Sequence, residues 1–323
     1  MRSSFKALVA TVAGLALAAA GCGSDDTGAA VEADTERPTV VVTTNILGDV
    51  VENLVGDAFD VVTIMPVGAD PHDFQASAQQ VAQIGEADVL IVNGGGFEEG
   101  LLDVIEAAEG DGVLVFEALS AVDTIEFGES GRGTDEHDDE HDREDADPHF
   151  WTDPGRMALA AEAIAVFLVA NVDGVDADAL DASADAYVAE LEALDTEVAE
   201  ALAPIGEDRR VLVTNHDALG YFADRYDFEV AGTVIPSGST TDGTSARELA
   251  ELTEVIRDEG VLAIFAETTV SDELAQTLAD EVGDEIAVVD LYTGSLGESG
   301  SDAASYVTMM RTNAQRIVDA LAG

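Results

Sequence analysis

The sequence predicts an α/β protein built from two (β/α)4 halves with parallel sheets, joined by one long helix. Short, β-branched apolar runs alternate with stretches of helical periodicity, which is typical of parallel sheets. This alternation occurs twice, on either side of a helical stretch at 178–202 that contains neither Gly nor Pro. With 323 residues, 47% of them hydrophobic, the chain is long enough for two domains of ordinary size.

The first residues have the composition of a secretory signal. Arg2 and Lys6 precede a mostly apolar run that is too short to span a membrane as a helix. The run ends in Ala-Ala-Gly-Cys, and small residues before a cysteine resemble a bacterial lipobox. Because Cys22 is the only cysteine, no disulfide within the chain is expected. We therefore predict a lipoprotein signal peptide at 1–21, a lipid anchor on Cys22 and a flexible tether at 22–37.

The first half, predicted at 38–176, contains four apolar runs that we interpret as buried strands. Ser77 and Gln80 have the pattern of a capping box before a helix. Asp153 followed by Pro154 has the pattern of an N-cap with proline in the first turn, which predicts a helix to about residue 170. The strands are predicted at 39–43, 61–65, 89–93 and 113–116.

The second half, predicted at 205–323, repeats this alternation after a connecting helix at 177–204. Ser245 and Glu248 form a second capping-box pattern, and Ser271 precedes a further helix. A closing helix is expected at 306–321. The strands are predicted at 210–214, 229–234, 262–266 and 286–290.

An acidic stretch at 126–147 interrupts the first half and has almost no apolar residue, which predicts a surface loop. His137 and His141 lie in it, and two interpretations stay open, a solvated charged loop and an auxiliary loop that captures zinc weakly. The formal net charge of the whole chain is −54, which argues against nucleic acid and anionic substrates as partners. Adaptation to a saline medium and attraction of cations both remain explanations of this charge.

Three of the five histidines lie where open α/β sheets bind ligands, in the loops beyond the carboxyl ends of strands or beside a helix start. His72 and His216 follow predicted strands, His149 precedes the helix that starts at Pro154, and Asp290 closes the last predicted strand. Two of these residues come from each half, so they can converge between the halves. Three imidazoles and one carboxylate form a four-ligand set for a divalent transition metal, with zinc as the first candidate.

Four ordered motifs resemble a known family. The chain is similar to the zinc- and manganese-binding solute-binding lipoproteins of ABC importers, the cluster A-I family that includes ZnuA-type and TroA-type proteins. The resemblance implies two lobes joined by a rigid long helix, with the metal in the interlobe cleft. The motifs are Gly-Ala-Asp-Pro-His-Asp at 68–73, Asp-Pro-His-Phe-Trp at 147–151, Thr-Asn-His-Asp-Ala-Leu-Gly-Tyr-Phe at 214–222 and Ile-Phe-Ala-Glu at 264–267.

By motif position, His72, His149 and His216 correspond to family ligands, and Asp290 to the C-terminal acidic ligand. In manganese-selective members of this family the metal ligands are two His, one Glu and one Asp, with Glu in the third place. His216 stands there in this chain, and because an added imidazole favours zinc, we predict Zn(II), with Mn(II) as the alternative. Candidates to orient the imidazoles from outside the ligand set are Asp70, Asp73, Asp217 and Glu267, whereas Phe150 and Trp151 are expected to pack around the site.

The resemblance implies a monomeric carrier and not an enzyme. We expect the chain to capture zinc at the outer face of the cytoplasmic membrane and to deliver it to an ABC permease and its ATPase. A zinc hydrolase, with Asp290 as general base, is the less favoured alternative, because no His-Glu-x-x-His segment occurs. A surface-adhesin role has no signature in these residues.

Overall fold

The computed structural model describes residues 37–127, 146–283 and 286–322, and its strands form two four-stranded sheets. The first sheet contains β1 (Thr39–Val42), β2 (Asp60–Thr63), β3 (Val89–Val92) and β4 (Leu114–Glu117), in the order β2-β1-β3-β4. The second contains β5 (Val211–Thr214), β6 (Glu229–Thr233), β7 (Ala263–Glu267) and β8 (Ala287–Leu291), in the order β6-β5-β7-β8. All pairings between these strands are parallel, which confirms the predicted α/β fold class.

Helices connect these strands and close the chain. In the N-terminal half they are α1 (Asn45–Val55), α2 (Ala78–Gly85), α3 (Leu102–Gly110) and α4 (Pro154–Asn171). The connecting helix is α5 (Ala177–Leu202). In the C-terminal half they are α6 (Gly220–Tyr226), α7 (Ala246–Glu259), α8 (Glu273–Val282) and α9 (Tyr306–Leu321).

Local capping explains where several helices begin. Ser77 and Ser245 form the predicted capping boxes, and the Asp153 side chain accepts hydrogen bonds from the first-turn N–H groups of α4. A third capping box, formed by Ser305 and Thr308 at the start of α9, has Thr in the place usually taken by Glu or Gln and was not predicted. These side chains satisfy N–H groups that have no partner within the helix.

The position of a strand in its sheet decides how far it is buried. β1 and β3 are central, and nearly all their residues are buried. β2 and β4 lie at the sheet edges and are exposed or half-buried, so the prediction of four buried strands in this half is wrong for these two. An apolar run alone does not distinguish an edge strand from a central one.

The long helix α5 joins the cores of the two halves. Its predicted apolar stripe is buried and belongs to a cluster that includes residues of both sheets, α4 and α9. By length and composition α4 could cross a membrane, but it packs along α5 with much of its surface buried. A shared apolar core of this kind favours a rigid connection between the halves. The stripe consists of Tyr187, Leu191, Leu194 and Val198.

Candidate metal centre

Three buried histidines meet at one point of the structure. Each of His72, His149 and His216 offers one ring nitrogen, and these three atoms lie within 4.8 Å of one another. The side chains come from both halves, His72 from the loop after β2, His149 from the segment before α4 and His216 from the loop after β5. Within the described ranges no carboxylate oxygen joins this group.

The same local device places two of these histidines. Asp70-Pro71-His72 and Asp147-Pro148-His149 share a three-residue pattern in which the aspartate turns the chain back on itself. The backbone N–H of His72 donates to Asp70 Oδ1 at 3.1 Å, and that of His149 donates to Asp147 Oδ1 at 2.9 Å. The pattern therefore fixes the backbone of both residues before any metal is bound.

A carboxylate holds the Nδ1 side of every imidazole. His72 Nδ1 donates to Glu99 Oε1 at 3.1 Å, and His149 Nδ1 donates to Asp147 Oδ1 at 2.7 Å. His216 Nδ1 donates to Glu267 Oε1. An ionised carboxylate only accepts hydrogen bonds, so beside an ionised partner the ring proton lies on Nδ1 and the Nε2 lone pair is available to a metal. Burial raises the pKa of Asp147 to about 7, so this arrangement at His149 is favoured as pH rises above that value.

The Nε2 atoms of two of these histidines face each other. His149 Nε2 and His216 Nε2 are 3.2 Å apart, close enough to share a proton. His72 Nε2 is buried and has no hydrogen-bond partner among the described residues. A buried polar atom without a partner is costly, and coordination to a cation would satisfy it.

The surroundings of the rings set their protonation. Burial lowers the pKa of His72 to about 4, with a further contribution from the charges of His149 and His216. Burial also lowers the pKa of His149 well below its ordinary value, so both rings are neutral near pH 7. Burial alone would lower the pKa of His216 as well, but the charge and hydrogen bond of Glu267 outweigh it and raise the pKa. Without a metal, a proton on His216 can therefore occupy the space between the two Nε2 atoms.

Aromatic rings form an apolar wall beside the site. Phe150 and Trp151 are buried as predicted, and the Trp151 ring lies 5.2 Å from that of His149. Trp151 Nε1 donates to the carbonyl of Thr293 at 2.8 Å, which joins the two halves. The ring of Phe97 packs edge-on against His72 at 4.8 Å and was not predicted, because only a Gly-Gly-Gly run precedes it in the sequence.

The structure places Asp290 outside this centre, so the prediction that it is the fourth ligand needs correction. Asp290 lies within β8, opposite Ala266, and is exposed. The strand continues to Leu291, and because side chains alternate between the two faces, the buried position falls to Leu291 instead. The strand-end carboxylate that does reach the histidines is Glu267, the last residue of β7.

The predicted orienting residues have different positions. Glu267 contacts the ring of His216, and Asp70 contacts the backbone of His72. Asp217 is half-buried and its negative charge helps to raise the pKa of His216, whereas Asp73 is exposed. Glu99 and Asp147 were missed as ring partners. The repeated Asp-Pro-His pattern could have identified Asp147, but Glu99 is 27 residues from His72 and has no local signal.

Three further predicted residues are outside the described part of the chain. They are Cys22, His137 and His141.

Comparison with known proteins gives one consistent result. Residues 40–320 match the family described as zinc-uptake complex component A, periplasmic. Over 307 residues, and 95% of each chain, the sequence is 31% identical to the manganese-binding lipoprotein MntA of Halalkalibacterium halodurans. It is also 30% identical over 292 residues to the zinc-binding protein TroA of Treponema pallidum, covering 88% of this chain and 89% of that protein.

The fold agrees with a solved structure of the same relative. The periplasmic zinc-binding protein TroA from Treponema pallidum matches with a TM-score of 0.78 and 29% identity, over 89% of this chain and 100% of that chain. Because the relatives are named for different metals, their similarity leaves the choice of metal open.

Proposed function

The chain belongs to the zinc-uptake complex component A family, and we propose that it captures Zn(II) outside the cytoplasm and hands it to the permease of an ABC importer. The family consists of substrate-binding transporter components and not of enzymes, so the zinc-hydrolase alternative is set aside. Capture requires an ion to be bound tightly and then released unchanged.

One observation carries the proposal, the convergence of three buried imidazoles whose Nδ1 atoms are all held by carboxylates. This is the arrangement by which proteins orient histidine for a metal and increase its basicity. The zinc is the cargo, bound by His72, His149 and His216. Three protein ligands leave the fourth position of a tetrahedral zinc to a water molecule.

The donor set supports zinc over manganese. Imidazole nitrogen suits zinc, whereas manganese prefers carboxylate, carbonyl and water oxygens. Among the described residues the group of metal-binding atoms contains three nitrogens and no carboxylate oxygen. Manganese stays the alternative, since MntA of Halalkalibacterium halodurans is named for that metal.

A titration tests this choice. The metal-free protein is titrated with zinc and with manganese, beside the variants His216→Glu and His216→Gln. We expect the parent to bind one zinc ion tightly and manganese much more weakly. His216→Glu should reduce the difference between the zinc and manganese affinities, because it supplies an oxygen ligand. His216→Gln, its neutral control, should lower the zinc affinity without raising the manganese affinity. Equal zinc affinity in the parent and in His216→Glu would remove the role proposed for His216.

We further propose that Cys22 carries a lipid anchor that holds the protein at the outer face of the cytoplasmic membrane. The relative from Halalkalibacterium halodurans is named a lipoprotein, and the sequence before Cys22 has the required small residues. Cys22→Ser should move the protein from the membrane fraction to the soluble fraction while leaving its zinc affinity unchanged. Retention of the variant in the membrane fraction would contradict the anchor.

The acidic loop is proposed as an auxiliary site. Zinc titrations of the full chain and of His137→Ala/His141→Ala should differ only in a second, weaker binding event. Identical weak binding in both would leave the loop as a solvated charged segment.

A further inference from the structure

A hydroxyl-rich loop of the C-terminal half lies over the site at the side of His72. This hydroxyl loop, Ser237-Gly238-Ser239-Thr240-Thr241, follows β6. Thr240 Oγ1 donates to Asp70 Oδ2 at 2.6 Å, and Thr241 Oγ1 donates to Glu99 Oε2 at 3.3 Å. Both acceptors belong to the N-terminal half, so the loop fastens one half to the other.

The two acceptors are the carboxylates that position His72. Asp70 uses Oδ1 for the backbone N–H of His72 and Oδ2 for Thr240. Glu99 uses Oε1 for His72 Nδ1 and Oε2 for Thr241. Each carboxylate therefore has one oxygen on His72 and the other on the hydroxyl loop. A movement of the loop reaches His72 through two independent hydrogen-bonded routes.

Hydrogen bonds within the hydroxyl loop stabilise its conformation. The N–H of Ser239 donates to Ser237 Oγ at 3.1 Å, and the N–H of Thr241 donates to Ser239 Oγ at 3.2 Å. The ring of Phe127, from the N-terminal half, covers Gly238 so closely that an added Cβ would lie 2.1 Å from the ring. The loop therefore has a fixed shape and a third contact across the cleft.

The carboxylate side chains that contact the other two rings have partners in their own halves, although the Asp147 carbonyl also accepts a hydrogen bond from Tyr221 Oη of the C-terminal half at 2.7 Å. Asp147 lies two residues from His149 and contacts its backbone and its ring. Glu267 and His216 both belong to the C-terminal half, where Thr293 Oγ1 donates to the second oxygen of Glu267 at 2.6 Å. Separation of the halves would leave these two pairs intact, but it would break both bonds between the loop and the carboxylates of His72.

We propose that Thr240 and Thr241 are positioning residues that hold His72 in its metal-binding orientation only while the two halves are closed. The inference rests on the proposed capture function. When the loop lifts, Asp70 and Glu99 lose their second hydrogen bonds and His72 is the first ligand to leave the ion. Metal release then begins at the His72 side, before the halves have separated far enough to part His149 from His216, which belong to different halves.

The rate of zinc release tests this inference. The zinc-loaded protein is mixed with an excess of a chromogenic chelator, and the rate of zinc transfer is measured for the parent and for Thr240→Val, Thr241→Val and the double variant. Valine keeps the shape of threonine but removes the hydroxyl. We expect about tenfold faster release in the double variant, the lower end of the effect typical of groups that orient a metal ligand. Thr240→Val should accelerate zinc release more than Thr241→Val, because the hydrogen bond of Thr240 in the parent is shorter than that of Thr241.

Two control variants separate positioning from general damage. Thr240→Ser keeps the hydroxyl and should release zinc at the parent rate. Thr277→Val removes an exposed hydroxyl on α8 that donates only to the carbonyl of Glu273, and should also leave the rate unchanged. The melting temperature of the metal-free protein should be nearly the same in all variants.

Parent-like release from the double variant would overturn the inference, as would equal acceleration by Thr240→Ser and Thr240→Val. Failure of the parent itself to bind zinc would instead contradict the proposed function, so the two failures are distinguishable.

Discussion

The metal centre has two unlike sides. On one side, His149 and His216 lie with their Nε2 atoms 3.2 Å apart, and the side chains of their carboxylate partners Asp147 and Glu267 are only 1% and 3% exposed. On the other side, the partner of His72 is Glu99, whose side chain is 38% exposed. The difference indicates that one side is preorganised deep in the protein, whereas the other faces the exterior and is adjustable.

This asymmetry has a physical consequence. A hydrogen bond to a buried carboxylate is strong because little water screens it, and an exposed carboxylate loses much of this advantage. Substitutions on the buried side should therefore cost more metal affinity than equivalent substitutions on the His72 side. The first and largest effect, however, should come from the ligands themselves.

Removal of a ligand should have the largest effect. His149→Ala and His216→Ala each delete one of three coordinating nitrogens. Their zinc affinity should therefore fall by more than the roughly 10- to 100-fold that loss of an outer partner costs. Competition titration with a zinc chelator measures this. His137→Ala, a histidine of the acidic loop, is the control and should keep the tight site intact. Parent-like zinc affinity in either site variant would exclude that residue as a ligand.

Substitution of the buried carboxylates should have the next largest effect. Asp147→Asn and Glu267→Gln keep the side-chain shape but remove the charge that fixes the ring proton on Nδ1. Zinc affinity should fall about 10- to 100-fold in each variant. The same chelator competition measures it, and unchanged affinity in both would show that these carboxylates do not tune the ligands.

Proton competition should make zinc binding pH-dependent. The raised pKa of His216, caused by Glu267 against the opposing effect of burial, means that metal-free His216 holds a proton that zinc must displace. Above this pKa, and above the value of about 7 to which burial raises the pKa of Asp147, the affinity should be constant. As pH falls through it, zinc affinity should decrease by about tenfold per pH unit. Calorimetric titrations in buffers of different ionisation enthalpy should detect about one proton released per zinc ion below that pKa, and no proton release there would contradict the protonated His216.

Substitution of the exposed carboxylate beside His72 should reduce zinc affinity less than substitution of the two buried carboxylates. Glu99→Gln should reduce zinc affinity by less than about tenfold, because solvent already screens this carboxylate. Glu254→Gln, an exposed glutamate on α7, is the matched control and should have no effect. If Glu99→Gln reduced zinc affinity as much as Glu267→Gln, the two sides of the site would be equivalent. This result would contradict the proposed difference between the buried side and the exposed side.

Substitution of Asp290 should have the smallest effect on zinc affinity. Because its side chain is exposed and lies outside the cluster of histidine nitrogens, Asp290→Asn should leave zinc affinity unchanged. A marked loss of affinity, measured in the same chelator competition, would restore Asp290 as a ligand and require a different arrangement of β8.

The sequence was informative where the signal is local. Apolar β-branched runs located the eight strands of the described chain to within about two residues. Loops after strands identified His72 and His216, and a helix start identified His149. The prediction of Asp290 as the fourth ligand failed because the sequence pattern does not say which side chain of an edge strand turns inward. Glu99 was missed because only the folded chain brings it to His72.

A crystal structure of the zinc-loaded protein, with anomalous data collected at the zinc absorption edge, tests the central claim most directly. We predict one ion in the cleft, with Nε2 of His72, His149 and His216 each at about 2.0–2.1 Å. The carboxylates of Glu99, Asp147 and Glu267 should remain on the Nδ1 atoms, and Asp290 should remain at the surface. An ion coordinated by fewer than these three nitrogens, or bound at Asp290, would contradict the account.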